Sequence, residues 1–245
     1  MWREVRVEGW RRWAPGLATL RLQGAPPPFE AGQFFNLALD LPRAGAEPER
    51  VSRSYSASSA PGAPLEVFLV EVPGGALTPQ LFALEPGSPL LLNPLAAGHF
   101  VLSRVPEGEV LWLIATGTGL GPYVAMLRAG EALQRFQRVV LVHGVRTADH
   151  LAYREELLAC GERLSWVPAV SRERLEGAIH GRLTDALRSG ELEARAGARL
   201  DAGAQVLLCG NPGMVGEARA LLEARGLARN RPRKPGQITI EKYWG

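Results

Sequence analysis

The hydrophobic pattern of the chain changes near residue 105, and this change constrains the fold more than any other feature. Before it, the apolar runs are short, partly alternating and separated by clusters of Pro and Gly; they cover residues 3–7, 17–22, 33–39, 51–57 and 65–71. Such runs are typical of an antiparallel β-barrel. After it, continuous apolar runs alternate with helical patterns, which predicts a parallel sheet with right-handed crossovers.

The second half is predicted to contain four strands and four helices. The strands lie at 110–115, 138–143, 164–170 and 205–209, and the helices at 122–133, 149–158, 183–189 and 212–225. We therefore predict a β-barrel plus an α/β domain, with the barrel over residues 1–105 and a doubly wound parallel sheet over residues 106–245.

Composition places the chain among soluble globular proteins. Of its 245 residues, 46% are apolar and 22% are charged. No segment reaches the roughly 18 uncharged apolar residues of a membrane helix. Residues 1–7 alternate like a strand and lack the apolar centre of a signal peptide. We expect a cytoplasmic protein with no membrane association.

Metal and nucleic-acid sites are not expected. Cys160 and Cys209 are far apart, and the four histidines form no cluster with metal-ligand spacing. This spacing disfavours iron–sulfur and Cys-rich zinc sites. The formal net charge of +3, from 28 basic and 25 acidic residues, does not favour nucleic acid. Redox chemistry in this chain would therefore need an organic cofactor.

The first motif with a chemical meaning is Arg53-Ser54-Tyr55-Ser56. Successive side chains of a strand face opposite sides, so Arg53 and Tyr55 would share one side. This arrangement suits a flavin, because Tyr55 could cover the ring, Ser56 could approach its edge and Arg53 could pair with the pyrophosphate. The alternative is an edge strand with an exposed arginine and a half-buried tyrosine.

A glycine turn followed by a short helix is predicted at Gly74-Gly75-Ala76-Leu77-Thr78-Pro79. Thr78 would be the N-cap and Pro79 the first helical residue. A helix N-terminus approached by glycine attracts phosphate oxygens. The alternative is a capped helix with no ligand.

A second glycine turn lies between a predicted strand and a predicted helix and reads Gly117-Thr118-Gly119-Leu120-Gly121-Pro122. Its glycines occupy every second position, which differs from the usual dinucleotide-binding spacing. Glycine lets the backbone approach phosphates, and the helix dipole favours their charge. We interpret the turn as a nucleotide site; a structural tight turn is the alternative.

Three arginines, Arg146, Arg172 and Arg182, follow strand ends in the second half. An NAD site usually places a carboxylate after its second strand, whereas the 2′-phosphate of NADP needs cations. The carboxyl ends of parallel strands meet at one edge, so the three could converge on one phosphate. Alternatively, each is an ordinary solvated arginine.

The last predicted strand and the end of the chain carry further candidates. Cys209 lies at the edge where ligands bind in such sheets, and we expect it to contact nicotinamide. Nucleophilic catalysis is disfavoured because no His lies in an obvious partner position; a buried small thiol is the alternative. Tyr243 and Trp244 suit stacking on a flavin, or they form a hydrophobic edge.

Together, these motifs resemble the ferredoxin–NADP reductase family, and within it the bacterial flavodoxin/ferredoxin reductases. The resemblance covers nearly the whole chain, in the order RSYS, GGALT, GTGLGP, HGVR, VSRE, CGNPGM and EKYW. It implies an antiparallel FAD-binding barrel followed by a doubly wound NADP-binding domain. It also implies hydride transfer at flavin N5 between NADPH and a one-electron carrier, ferredoxin or flavodoxin.

The resemblance implies three sets of site residues. Those for FAD are Arg53, Ser54, Tyr55, Ser56, Phe68, Leu69, Val70, Ala76, Leu77, Thr78, Thr118, Tyr243 and Trp244. Those for NADP are Gly117, Gly119, Gly121, Pro122, Val145, Arg146, Ser171, Arg172, Arg182, Asn211, Pro212 and Met214. The implied catalytic residues are Ser56, Cys209, Glu241 and Tyr243.

Several of these residues have implied roles. The Ser56 hydroxyl would lie near flavin N5, and Tyr243 would stack on the face opposite Tyr55. Tyr243 would then occupy the stacking position of the nicotinamide and would have to move aside, as a gate. Glu241 takes the place of a glutamate linked to proton supply in plant-type members, and Trp244 would pack on the adenine. The following Gly245 departs from members that end at the aromatic residue.

The basic segment Arg229, Arg231, Arg233 and Lys234 is a candidate docking patch for an acidic carrier, or alternatively a solvated loop. We expect a monomer. Two other functions stay open: an NAD(P)H-dependent reductase component of an oxygenase system, and a non-catalytic flavin- or nucleotide-binding regulatory subunit. The arginines at the strand ends argue against NADH, and the complete catalytic set argues against a regulator.

Overall fold

The computed structural model of the chain describes residues 2–43 and 45–243. Within these residues the chain forms two six-stranded sheets, one ending at Leu92 and one beginning at Val110. The predicted boundary at residues 105 and 106 falls in the connection between the sheets, and the division into domains at that point stays a prediction. Trp244, a predicted FAD contact, lies outside the described residues.

The first sheet is antiparallel, as predicted. Its strands are β1 (Arg3–Ala14), β2 (Leu17–Leu22), β3 (Phe34–Arg43), β4 (Ala46–Ser56), β5 (Glu66–Val70) and β6 (Pro89–Leu92), in the order β4-β3-β6-β1-β2-β5. A bridge between Ala57, just after β4, and Val67 of β5 joins the two edge strands. The sheet therefore closes into a barrel, whose interior is filled by side chains such as Leu20, Phe35 and Leu37. One short helix, α1 (Thr78–Phe82), follows β5.

The second sheet is parallel, as predicted. Its strands are β7 (Val110–Thr116), β8 (Arg138–Val145), β9 (Leu164–Val170), β10 (Ile179–His180), β11 (Ala204–Gly210) and β12 (Ile238–Lys242), in the order β10-β9-β8-β7-β11-β12. The helices are α2 (Gly121–Arg128), α3 (Glu131–Arg135), α4 (Arg154–Leu158), α5 (Leu183–Ser189), α6 (Glu191–Ala196) and α7 (Pro212–Ala224). Short 3₁₀ turns lie at Leu102–Arg104, Gly117–Leu120 and Ala148–His150.

Both faces of the parallel sheet are covered, which confirms the doubly wound architecture. Alternate residues of β7 belong to different apolar clusters: Leu111 and Leu113 to one, Trp112 and Ile114 to the other. Strands buried on both faces read as continuous apolar runs, and this is why the pattern of the second half predicts them well. No helix among the described residues is long and apolar enough to cross a membrane.

Two predicted helices are wrong in their extent. The helix predicted at 122–133 is divided into α2 and α3, because Gly130 adopts a left-handed φ of 79° that ends the first helical run. The helix predicted at 149–158 is a 3₁₀ turn followed by α4. Tyr153 separates them with a φ of 61°, a left-handed backbone that no apolar pattern predicts for tyrosine.

The predicted N-cap of α1 is also wrong. Leu77 occupies the cap position without a side-chain hydrogen bond, and Pro79 is the second helical residue. The Thr78 hydroxyl instead accepts a hydrogen bond of 2.9 Å from the backbone N–H of Val72. It is therefore used to hold the loop that leaves β5 against the helix.

The barrel and the parallel sheet share an apolar interface. Leu17 and Phe68 of the barrel belong to the same buried cluster as Leu120, Tyr123 and Tyr153 of the α/β half. The cleft described next is lined from both halves.

Candidate functional site

A cleft of about 630 Å³ opens at the carboxyl ends of the parallel strands, where ligands bind in such sheets. It is lined by the exits of β7, β8, β9 and β11, by the start of α5 and by the first turns of α7. Leu17 and Val70 of the barrel and Tyr243 near the C-terminus complete it. The cleft therefore lies between the two halves of the chain.

Many of the predicted nucleotide and flavin residues line this cleft. They are Val70, Gly117, Thr118, Val145, Arg146, Ser171, Arg182, Asn211, Met214 and Tyr243. Arg172 is exposed directly after Ser171, and Pro212 is half-buried at the start of α7. The cleft thus gathers residues from five separate predicted motifs.

The glycines of the turn at 117–122 have different surroundings. Gly117 is exposed and lines the cleft, as the phosphate interpretation requires. A Cβ on Gly119 would lie 2.6 Å from the carbonyl oxygen of Cys209, so this glycine lets the turn pack against β11. A Cβ on Gly121 would lie 3.6 Å from Cβ of Phe68. Gly119, Gly121 and the buried Pro122 therefore pack against protein behind the cleft.

The arginines at the strand ends form an arginine edge, which we define as Arg146, Arg172 and Arg182. The exits of β8 and β9 are held together because the N–H of Arg172 donates to the Arg146 carbonyl oxygen over 2.9 Å. The hydroxyl of Ser171 donates to the Val145 carbonyl oxygen over 3.2 Å. All three arginines are exposed, and within residues 2–43 and 45–243 they form no ion pair. An anion at this edge would meet cations that have no protein counter-ion there.

Asn211 caps helix α7 from within the cleft. Its side-chain oxygen accepts hydrogen bonds from the N–H groups of Gly213, at 2.9 Å, and Met214, at 3.3 Å. Its own N–H donates to the Thr116 hydroxyl over 3.0 Å. Asn211 therefore satisfies two N–H groups of the first turn of α7 that would otherwise be free.

The four predicted catalytic residues meet beside the cleft, which Tyr243 alone of the four lines, and we call them the inner cluster: Ser56, Cys209, Glu241 and Tyr243. The Tyr243 hydroxyl donates to Ser56 Oγ over 2.6 Å, and Ser56 Oγ donates to Glu241 Oε2 over 3.4 Å. Cys209 Sγ lies 4.0 Å from the same Glu241 oxygen. The parallel pairing of β11 with β12 sets Cys209 opposite Glu241. Strand register therefore brings together residues that are far apart in sequence.

Burial changes the protonation of the inner cluster. It raises the pKa of Glu241 to about 7, although the hydrogen bond from Ser56 lowers it. Burial, and then the charge of Glu241, raise the pKa of the Cys209 thiol well above its usual value. Cys209 is thus held as a neutral thiol, which disfavours a nucleophilic role.

The strand that carries the Arg53-Ser54-Tyr55-Ser56 motif leaves one buried hydroxyl without a partner. Among the described residues, Tyr55 Oη is buried and makes no hydrogen bond. Burial raises the pKa of Tyr55 to about 12, although the charge of Arg53 lowers it. An orphaned buried hydroxyl is costly unless another group supplies its partner. This hydroxyl, on the same strand as the exposed Arg53, fits a polar heterocycle such as a flavin.

The remaining predicted flavin residues divide into buried and exposed ones. The side chains of Phe68 and Leu69 belong to two different apolar clusters of the core. Leu77 and Thr78 are buried, and Ala76 is exposed beside them. Ser54 is exposed, and its hydroxyl donates to Asn36 Oδ1 over 2.7 Å.

Two histidines near the cleft are absent from the predicted site. His143 is fully buried, and its Nε2 lies 3.1 Å from the carbonyl oxygen of Gly117, the first residue of the glycine turn. Burial lowers its pKa to about 4, although the bond to Gly117 raises it, so the ring is neutral near pH 7. His150 lines the cleft, and its Nδ1 lies 2.7 Å from the Thr147 hydroxyl. His143 could have been found from the sequence, because it is the last residue of the strand predicted at 138–143. No feature of the sequence marks His150.

Known proteins resemble this chain in sequence and in fold. A family profile described as oxidoreductase NAD-binding domain matches residues 113–220. A flavodoxin/ferredoxin–NADP reductase of Escherichia coli (strain K12) is 40% identical over 250 residues, which cover 99% of each chain. The crystal structure of a ferredoxin NADP+ reductase from Neisseria gonorrhoeae with bound FAD and NADP is 29% identical, with a TM-score of 0.91 and 98% coverage of both chains.

A more distant structure shares the fold alone. The ferredoxin reductase in carbazole 1,9a-dioxygenase is 24% identical, with a TM-score of 0.79, and the match covers 100% of this chain and 70% of that one. At this identity the likeness carries no conclusion about activity.

Proposed function

The chain belongs to the flavodoxin/ferredoxin–NADP reductase family, and from that premise we propose how its residues carry electrons between NADPH and a one-electron carrier. Bound FAD would supply the exchange between a hydride donor and a one-electron acceptor. The observation that carries the proposal is the inner cluster, where Ser56 of the barrel meets Glu241 and Tyr243 of the α/β half. A reaction between two cofactors held on different halves needs such a meeting point.

Residues of the barrel would hold FAD. Tyr55 offers an unpaired buried hydroxyl and a ring face, and the exposed Arg53 offers a cation for the pyrophosphate. Ser56 is buried beside them and would offer its hydroxyl to the flavin edge. The assignment predicts that the FAD-free protein binds free FAD and quenches its fluorescence.

Residues of the cleft would hold NADP(H). The arginine edge would pair with the 2′-phosphate, and the exposed backbone at Gly117 would meet the pyrophosphate. The three arginines have no protein counter-ion among the described residues, so their charge is available to a phosphate. They favour NADPH over NADH because only NADPH carries the 2′-phosphate. This preference is also what argues against the alternative function as an NADH-linked oxygenase component.

The inner cluster would position the reaction and handle the proton. Glu241, with a pKa of about 7, can hold or release a proton near neutral pH. Tyr243 lines the cleft, and its hydroxyl is held by a hydrogen bond to Ser56. It would have to break that bond to admit nicotinamide, which makes it a gate. Truncation before Tyr243 is then expected to tighten NADP+ binding, and unchanged affinity would contradict the gate.

The electron carrier is proposed to dock on the segment of Arg229, Arg231, Arg233 and Lys234. All four side chains are exposed, and a bridge between Arg231 and Lys234 holds the segment in a tight turn. Replacing the four by Glu should slow reduction of an acidic ferredoxin or flavodoxin and leave reduction of ferricyanide unchanged. Equal effects on both acceptors would contradict docking there.

We also propose that the enzyme is a monomer, located in the cytoplasm and not associated with a membrane. Sedimentation would test the oligomeric state, and cell fractionation would test the location.

The decisive experiment for the proposed function is an anaerobic reductive titration of the FAD-loaded protein. NADPH should bleach the flavin band at far lower concentration than NADH. A flavin that NADPH does not reduce would overturn the proposal.

A further inference from the structure

Two side chains of the α/β half reach across to the flavin side of the barrel, and the reaction described above does not use them. Arg128 is the last residue of α2, and Tyr153 immediately precedes α4. Neither lines the nucleotide cleft; both line a separate polar cavity of about 360 Å³ between the two halves. Their contacts connect the barrel with the elements that frame the nucleotide site.

The guanidinium of Arg128 joins the two halves through hydrogen bonds in both directions. Toward the barrel, Nη1 donates to the carbonyl oxygen of Ser58 over 2.9 Å and to Glu66 Oε2 over 2.5 Å. Within its own half, Nε and Nη2 donate to the two carboxylate oxygens of Glu156 over 2.5 and 2.9 Å. The side chain is only 24% exposed. Because the planar guanidinium of Arg128 is hydrogen-bonded to both halves, it fixes their relative orientation as well as the distance between them.

Tyr153 makes the second connection. Its hydroxyl lies 2.6 Å from Thr19 Oγ1 in the barrel, and Thr19 also accepts a hydrogen bond of 2.9 Å from Trp13 Nε1. Its ring packs edge-on against Phe68, with centroids 5.3 Å apart, and lies 4.5 Å from the ring of Trp13. The side chain is 1% exposed.

The backbone of Tyr153 is strained in a way that these contacts explain. Its φ of 61° is the only positive φ of a non-glycine residue within residues 2–43 and 45–243. Such a conformation persists only where the surroundings over-determine it. The contacts of Tyr153 with Thr19, Phe68 and Trp13 of the barrel provide this support.

Both connections end on the strands that carry the flavin residues. Ser58 lies two residues after Ser56, and Glu66 and Phe68 belong to β5, whose last residue Val70 lines the cleft. On the other side, α2 begins at Gly121, within the glycine turn, and ends at Arg128. A small rotation between the halves would therefore displace the nucleotide relative to the flavin.

On the basis of the proposed function, we propose that Arg128 and Tyr153 are positioning residues that set the orientation of the NADP-binding half against the flavin-binding barrel. Hydride transfer requires the reacting atoms to lie within roughly 3–3.5 Å, and a misplacement of about 1 Å costs on the order of 100-fold in rate. Neither residue lines the cleft. They act through Ser58, Glu66, Thr19 and Phe68.

The test is anaerobic stopped-flow reduction of the FAD-loaded protein by NADPH, with variants Arg128→Gln and Tyr153→Phe. The concentration dependence separates the limiting rate from the NADPH dissociation constant. We expect the limiting rate to fall roughly 10- to 100-fold while the dissociation constant changes less than about twofold. The isotope effect with NADPH deuterated at the transferred position should rise, because the chemical step becomes slower than binding.

A matched control separates positioning from stability. The side chain of Arg225 is 29% exposed, against 24% for Arg128, and it pairs with Glu193 over 2.7 Å, but both Arg225 and Glu193 lie within the α/β half. Arg225→Gln should lower the melting temperature as Arg128→Gln does and leave the limiting rate unchanged. If Arg128→Gln does not fold, Arg128→Lys retains the charge but loses the fork, and the same fall in rate is expected.

Three outcomes would overturn the inference. They are an unchanged limiting rate in Arg128→Gln and Tyr153→Phe, an equal fall in Arg225→Gln, and a rise in the dissociation constant without a fall in rate. The proposed function has a separate sign of failure, because wild-type protein would then show no NADPH-driven flavin reduction at all.

Discussion

The inner cluster and the arginine edge are built in opposite ways. The inner cluster is buried, connected by hydrogen bonds and set by the register of β11 and β12. The arginine edge is exposed, and among the described residues its cations have no acidic partner. The inner cluster, which would carry the chemistry, is therefore desolvated, whereas the arginine edge, which would select the nucleotide, keeps charge available in water. Substitutions should affect rate at the inner cluster and affinity at the arginine edge.

The largest effect expected from this contrast is the dependence of stability on Glu241. Burial raises its pKa from 4.5 to about 7, so between these two pH values the folded protein holds a proton that the unfolded chain has released. The resulting stabilisation is complete below pH 4.5 and is lost as the pH rises through 7. Across that range, FAD-free wild type should lose roughly 3 kcal/mol more unfolding free energy than Glu241→Gln, measured by urea denaturation. If the unfolding free energies of wild type and Glu241→Gln change equally with pH, Glu241 is not desolvated.

Removal of the Ser56 hydroxyl should reduce the rate almost as severely. Ser56→Ala deletes the group that joins Tyr243 to Glu241, and the loss of one such preorganised donor typically costs about 100-fold in rate. Stopped-flow reduction by NADPH measures it. Ser52→Ala is the matched control, because Ser52 lies on the same strand but is not one of the predicted FAD residues. Similar losses in both variants would mean that the effect comes from the strand and not from the inner cluster.

Changes at the arginine edge should appear in affinity. Arg182→Gln or Arg146→Gln removes a charge-assisted bond to a phosphate, which should raise the NADPH dissociation constant about tenfold and leave that for NADH unchanged. Added salt should weaken NADPH binding in the same direction. Arg195→Gln, which lies on α6 outside the cleft, is the control. Equal losses for NADPH and NADH would contradict recognition of the 2′-phosphate.

The smallest effect concerns the orphaned hydroxyl of Tyr55. Tyr55→Phe removes a buried donor that has no partner among the described residues. The FAD-free protein should therefore gain roughly 1 kcal/mol of stability, while its affinity for FAD falls. Thermal denaturation with and without FAD compares the two. A loss of stability without FAD would show that the hydroxyl already has a partner, such as water.

The sequence predicts the architecture well where burial dictates the pattern. Strand β7 reads as a continuous apolar run, and β9 and α5 were predicted at their observed bounds, Leu164–Val170 and Leu183–Ser189. Strand β6 escaped prediction because its four residues lie between proline- and glycine-rich segments. The left-handed backbone of Tyr153 could not be predicted, since contacts with the distant residues Thr19 and Phe68 impose it.

The candidate site follows a similar rule. The motifs at strand ends predict residues that line the cleft, because parallel strands deliver their carboxyl ends to one edge. The meeting of Glu241 with Ser56 depends on how β12 pairs with β11 and on how the barrel packs against the sheet. Only the family resemblance implied it. The packing roles of Gly119 and Gly121 likewise depend on neighbours, Cys209 and Phe68, that local sequence does not reveal.

The most direct test of the account is to compare NADPH and NADH as reductants of the FAD-loaded wild-type protein under anaerobic conditions, with the limiting rate and the dissociation constant determined for each. We expect similar limiting rates, because both nucleotides would react at the same inner cluster, and a much lower dissociation constant for NADPH, because only its 2′-phosphate would meet the arginine edge. Equal dissociation constants, or a protein that binds no FAD, would contradict it.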